Sequence, residues 1–395
     1  MGFLSGSMTF ERYWITNDPT GALGQEHLEV LEKHKIGAHS SDSPDQPNVG
    51  FLAGAHLLDT RFDLEKNIIG DALHFGIRID TNQIPGPIRN AWLQMELQAL
   101  AVDNPSGKPN KAQRQEAREA VEARCIDEAA TGKYRRMQQV PVLWDAATDV
   151  LYLGGTSTTA NELCIDLLER SFGLEFDRIS SGKLAKNYAT QQNDLESLFQ
   201  LSPASFQPDK MGGDVTWWNG MSENYDYLGN EFLLWLWWHV DAKSDTIRLG
   251  DDSEVACMFA RTLTLDCPLG ESGKETISAE CPIALPESEQ AIRSGKLPRK
   301  AGLTIVRGDQ QFDLALQAES FCVGGAKFTQ IGNAEKSENS YEDRVLKLRE
   351  LTDTLDLMFD AFCQRRIGKS WKSEVKKMQD WLHDSTSAGR RKPAA

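Results

Sequence analysis

The 395-residue sequence lacks the short signatures of common enzyme chemistries. It has no G-x-x-x-x-G-K-[ST] phosphate loop. The nearest text, Gly270 to Glu275 (GESGKE), has the wrong spacing and places Glu275 where a hydroxyl must hold magnesium. No G-x-S-x-G elbow, H-E-x-x-H helix or paired-cysteine zinc pattern occurs. The seven histidines are dispersed; His239 beside Asp241 follows a tryptophan-rich helix, where a helix-end imidazole is the ordinary reading. The seven cysteines (Cys125, Cys164, Cys257, Cys267, Cys281, Cys322, Cys363) are odd in number and scattered, without a C-x-x-C. Single buried thiols in a reduced, cytoplasmic protein are therefore expected. The most apolar run, Phe232 to Val240 (FLLWLWWHV), has nine residues, against about 20 for a membrane helix. The opening MGFLSGSMTFERYWI lacks the charged n-region and continuous apolar core of a signal peptide. No cofactor, no metal, no catalysis and no membrane contact are expected. The 58 acidic residues leave a metal-dependent nuclease open as an alternative, with no carboxylate pair identified.

Positive charge is also scarce: 43 Lys and Arg give a net charge of -15 and a pI near 5.0. A uniformly basic DNA-coating protein is excluded, so any polyanion contact must be a local patch. Charge is segregated as a patch requires. Gly107 to Arg136 has eight Lys/Arg against five Asp/Glu, and Ala361 to Lys392 has nine against three. The length and a 40% hydrophobic content suffice for two or three ordinary domains or one elaborate α+β unit.

In chain order, residues 2–16 read as a strand ended by Asn17-Asp18-Pro19, and 21–35 as a short helix. A Ser/Asp/Pro loop separates these from strands at 49–56 and 72–80. Pro85 and Pro87 suit a helix start, giving a helix through Leu100 that Asn104-Pro105-Ser106-Gly107 breaks. The next helix, 108–130, buries little beyond alanines and carries Arg114, Arg118 and Glu122 at i, i+4 spacing. A helix so polar is either solvated or laid against a charged partner. It runs into Lys133-Tyr134-Arg135-Arg136, then a strand, a tight turn at Asp145 to Thr148 and a second strand, like a basic arm on a hairpin. Positive charges spaced along a helix and ending beside an aromatic suit a polyanion. Candidate contacts are Lys108, Lys111, Arg114 and Arg118 on the helix and Lys133, Tyr134, Arg135 and Arg136 after it.

A helix at 158–171 and a strand at 174–179 complete an α+β core. Residues 180–230, rich in Gln, Ser, Pro and Gly, read as an insertion or linker. The helix 228–240 holds Trp235, Trp237 and Trp238, with Trp217 and Trp218 upstream; these are core or interface residues, or a base-stacking platform. Strands are expected at 246–249, 254–265, 276–282, 302–306 and 311–317, with a short helix at 286–295 and a hairpin turn at Gly308-Asp309. In the helix 340–366, Tyr341, Val345, Leu348, Leu351, Leu355, Met358 and Phe362 form a nearly heptad seam, for packing within the chain or on a partner. A basic helix, 369–382, and a tail with Gly389-Arg390-Arg391-Lys392 follow.

This succession resembles the bacterial recombination-associated protein RdgC family. Four stretches carry the resemblance: GFLSGSMTFERY; IPGPIRNAWLQMELQAL with the charged helix and KYRRMQQVPVLWDAATDVLYLGG; TTANELCIDLLERSFG; and ESEQAIRSGKLPRKAGLTIVRGDQQFDLAL. The resemblance implies an α+β fold with mixed or antiparallel sheets, flanking helices and a ring-shaped homodimer around double-stranded DNA. It further implies little sequence preference, restraint of RecA-dependent recombination without cofactor or catalysis, and a cytoplasmic, nucleoid-associated protein. An acidic exterior with a basic inner wall then fits the net charge. Lys133, Tyr134, Arg135 and Arg136 fall where the family carries an aromatic among basic residues leading into a strand, whereas Arg114 and Arg118 match only the general basic character of the preceding helix. Where the resemblance leads to a basic loop, this chain has Glu280-Cys281-Pro282. The expected organisation is an α+β region at 1–179, an insertion at 180–230, a region with the aromatic helix, strands and heptad-like helix at 231–366, and a basic extension at 367–395. Besides the nuclease, the competing reading is a protein-interaction module that uses the tryptophan and heptad-like helices.

Overall fold

The structure is a computed structural model and describes residues 2–17, 21–38, 46–102, 104, 107–206, 224–331 and 340–383. The fold is mixed α+β with a large antiparallel sheet and, among the described residues, eleven α-helices. In chain order the strands are β1 (Met8–Ile15), β2 (Asn48–Leu52), β3 (Ile68–Ile69), β4 (Ala72–Thr81), β5 (Arg136–Asp145), β6 (Val150–Leu153), β7 (Phe176–Arg178), β8 (Thr246–Arg248), β9 (Glu254–Asp266), β10 (Glu275–Ala279), β11 (Leu297–Arg307), β12 (Gln310–Gln317) and β13 (Val323–Gln330). The helices are α1 (Gln25–Lys33), α2 (Leu64–Asn67), α3 (Gly86–Ala101), α4 (Lys111–Ala130), α5 (Thr158–Phe172), α6 (Ser181–Gln191), α7 (Leu195–Phe199), α8 (Tyr227–Ala242), α9 (Pro286–Arg293), α10 (Tyr341–Ile367) and α11 (Trp371–His383). The chain divides into two compact units, each assembled from separated segments: Met1–Trp14 with Val150–Thr156 and Asp177–Ala395, and Ile15–Asp149 with Ser157–Phe176.

The larger unit is built on the strand order β10-β9-β11-β12-β13-β1-β6. Gly302 of β11 is required by close approach, because a Cβ there would lie 2.0 Å from the carbonyl oxygen of Ala260 on the bulged β9. Helix α8 is apolar on every side, and Tyr227 through His239 are all buried, as expected for a helix enclosed by its neighbours. It packs on β11, α6, α10 and α11. Trp235, Trp237 and Trp238 are thus core residues, the first of the two roles read from sequence; Trp217 and Trp218 lie outside the described residues. The seam of α10 is internal too: Val345, Leu348, Leu351, Leu355, Met358 and Phe362 are buried, with Tyr341 exposed at its start.

Polar ties fix these helices. Glu231 of α8 and Arg366 of α10 form a buried ion pair at 2.5 Å, with side chains 2% and 5% exposed. The Arg366 guanidinium also donates to the Ser202 carbonyl at 2.7 Å, and Glu231 accepts from the Ala204 amide at 2.7 Å. Arg12 of β1 makes a two-pronged contact with Asp356 of α10 at 2.7 and 2.6 Å. The stretch read as a linker, 180–230, is no bare connection in its described part. It carries α6 and α7, whose Leu184, Ala185, Ala189 and Leu198 are buried. Their polar neighbours concealed this apolar face.

The smaller unit has the strand order β2-β4-β5, with β3 on β4. Side chains alternate faces along β4. Its apolar side belongs to a cluster in which Phe51 meets Phe75 at 5.6 Å, and Trp144 meets Phe172 edge-on at 5.1 Å. On its other side, the segment after β2 covers His74 and Arg78: Asn67 donates to the carbonyls of Ala53 (2.8 Å) and His74 (2.7 Å), and Arg78 reaches the Leu57 carbonyl. The positive φ of Gly54 ends the expected strand 49–56 early, at Leu52. Helices α3 and α4 pack on each other, with Trp92 buried and the Arg124 guanidinium 4.4 Å from the centre of its ring.

Candidate nucleic-acid interface

Helix α4 begins with a capping box: Asn110 accepts from the Gln113 amide at 2.9 Å, and the Gln113 side chain returns a contact to the Asn110 amide at 3.0 Å. The cap fixes the start of the helix, and so the direction in which Lys111, Arg114 and Arg118 project. At 3.6 residues per turn their spacings of three and four place them on one face. All three are exposed. Among the described residues, Lys111, Arg114 and Arg118 form no salt bridge, and the Arg114 side chain donates only to the Pro109 carbonyl, at 3.2 Å. Glu116 and Glu119 lie on other sides of the helix, whereas Glu122, four residues after Arg118, shares its face and lies 3.9 Å from Arg89. Lys108, before the cap, is exposed as well.

The second cluster divides in two. Arg136 opens β5, opposite Thr81, and is exposed without an ion pair among the described residues. Lys133 stands over the ring of half-buried Tyr134 at 5.4 Å and 3.9 Å from Glu128. Arg135 instead turns to Asp80 of β4, donating through Nε at 3.1 Å and through a closer Nη2 contact. Asp80 also receives Arg78 through two 2.7 Å hydrogen bonds, Arg78 and Asp80 being two apart and so on one face of the strand. Burial pushes the Asp80 carboxyl up, but the hydrogen bonds and charges of Arg78 and Arg135 outweigh it and leave the group below the usual range. Arg135 therefore has a structural task, which the run of basic letters did not disclose. Its side chain keeps 42% exposure. The signal for Asp80 was local: Arg78 and Asp80 alternate with apolar residues in ALHFGIRID, so both point to one side of a strand that is otherwise hydrophobic.

In the larger unit, α11 presents a second basic surface. Trp371, Met378 and Leu382 are buried, and Trp381 donates to Asp241 at 2.7 Å, leaving Lys369, Lys372, Lys376 and Lys377 exposed. Arg390, Arg391 and Lys392 lie outside the described residues. Glu280 and Cys281 are exposed, and Pro282 opens a one-turn 3-10 helix.

His239 and Asp241 do not form a catalytic pair: Nδ1 of His239 meets the Ser244 carbonyl at 2.9 Å, and Asp241 receives Trp381. Burial lowers the His239 pKa, disfavouring the charged imidazolium. The cysteines are unbridged; Cys281 is exposed and Cys125 half-buried. Among the described residues, no group of three or more His, Cys, Asp or Glu side chains could hold a metal ion, and no helix is long and apolar enough to cross a membrane. No protein-family model matches the chain, and no curated protein matches it significantly.

Proposed function

We propose that the chain binds double-stranded DNA without sequence preference, through the outward face of α4 and the start of β5, and holds it without chemistry. The observation that carries this reading is the stripe Lys111, Arg114 and Arg118: three exposed cations that form no salt bridge among the described residues, on a chain of net charge -15. Such a stripe draws a phosphate backbone by releasing its counterions. Backbone contacts fix position without reading bases. The RdgC resemblance extends the proposal to a homodimer that encircles the duplex and restrains RecA, in the cytoplasm and on the nucleoid. Two copies of a modest patch on one duplex would supply the charge that one copy lacks.

The test is the variant Lys111→Ala/Arg114→Ala/Arg118→Ala. It is expected to weaken binding to unrelated duplexes equally and to reduce the slope of log K against log salt by about 0.9 for each phosphate no longer neutralised. Unchanged affinity would remove α4 from the interface. Weakening restricted to particular sequences would replace backbone contact with base readout.

A further inference from the structure

The face of α4 that carries the cations does not end at Arg118. Positions 118, 122, 125 and 129 continue it at spacings of four, three and four. Glu122, Cys125 and Ala129 line a cleft of about 600 Å³ within the same unit. Small-molecule sites occupy about 300–1,000 Å³. Ile79, Ile84, Ile126 and Leu163 give the cleft apolar walls. Three amide side chains, those of Asn82, Gln83 and Gln138, line it too, and the Oδ1 of Asn82 is a buried acceptor with no hydrogen-bond partner among the described residues. A buried acceptor left unmatched loses its hydration without compensation, which a ligand N–H would restore. Arg89 and Glu122 are the charged lining residues, and they lie 3.9 Å apart. Their charges balance, so the cleft suits a neutral guest.

We infer that this cleft receives one unpaired nucleobase. Amides present a donor and an acceptor side by side, the pattern with which Asn and Gln pair with adenine through its exocyclic amine and a ring nitrogen. A base is neutral, and its flat faces fit between aliphatic walls. The strand's phosphates would stay outside, on Lys111, Arg114 and Arg118; this part rests on the duplex-binding reading above. Glu122 follows Arg118 by about 6 Å along the helix axis, so a phosphate held at the stripe keeps its base within reach of the cleft.

Two probes separate the parts: adenosine alone, and a pair of duplexes that differ by one unpaired adenine. Adenosine is expected to bind the full chain saturably by calorimetry or ligand-observed NMR, at least tenfold more weakly to Asn82→Leu and to Gln138→Leu. The duplex with the unpaired adenine is expected to bind at least tenfold more tightly than its matched counterpart. Gln138→Leu, at an exposed position of β5, should erase that preference. Adenosine that does not bind, or binds both variants as well as the parent chain, overturns the inference whatever the duplexes do. Measurable but equal affinity for the two duplexes overturns it as well. Adenosine binding without any duplex binding would uphold the cleft and sink the duplex-binding reading alone.

Discussion

Glu231→Ala is expected to lower the free energy of unfolding by about 3–5 kcal/mol, the cost of leaving a buried charge without its partner. Arg366 is 5% exposed, and Glu231 is the carboxylate that meets its guanidinium. The Ser202 carbonyl would remain to it, but a single neutral acceptor does not replace an ion pair. Removal of Glu231 also strips the Ala204 amide of its acceptor, loosening the segment that follows α7. Denaturation by urea, followed by tryptophan fluorescence, reads the loss directly because Trp235 and Trp237 are fully buried on the same helix. The double variant Glu231→Leu/Arg366→Met should recover much of the stability, since apolar side chains of similar volume commonly replace a buried pair without loss. A single variant within about 0.5 kcal/mol of the parent would show that the pair is not held in the core.

The second large effect belongs to Asp80. Asp80→Ala leaves Arg78, 9% exposed, without its carboxylate, and a loss of about 3 kcal/mol is expected for a buried pair broken on one side. Arg135→Ala should cost far less, about 0–1 kcal/mol, because that side chain is partly solvated and the Arg78 contact survives. The pH dependence follows from the direction of the shift. The folded carboxyl lies below its ordinary value of about 3.9, so its stabilising contribution is complete above that pH. It is lost as the pH falls through the folded value. The difference in stability between the parent and Asp80→Ala should thus be constant near neutrality and shrink under strongly acid conditions. A difference that grows on acidification would reverse the assigned shift.

Local pattern made much of this fold legible. The Pro85-Pro87 signal located α3, the alternation in ALHFGIRID located β4, and the repeat from Val345 to Phe362 located α10 but left its partner open. What escaped detection depends on residues distant in the chain. Strand β13 contains Gly324-Gly325 and little alternation, and it forms because β12 and β1 pair with it on either side. Glu231 and Arg366 are 135 positions apart, and neither letter betrays burial. Among the candidate contacts, composition singled out Arg135 and Arg136 equally. Only the register of β5 on β4 separates a side chain held by Asp80 from one directed outward.

The most direct measurement is the equilibrium affinity of the full chain for a mixed-sequence duplex across a range of salt concentrations. At least three phosphates held by α4 predict a slope of log K against log salt of about -2.7 or steeper, the same for unrelated sequences. An absence of duplex binding at low salt, or an affinity indifferent to salt, would contradict it.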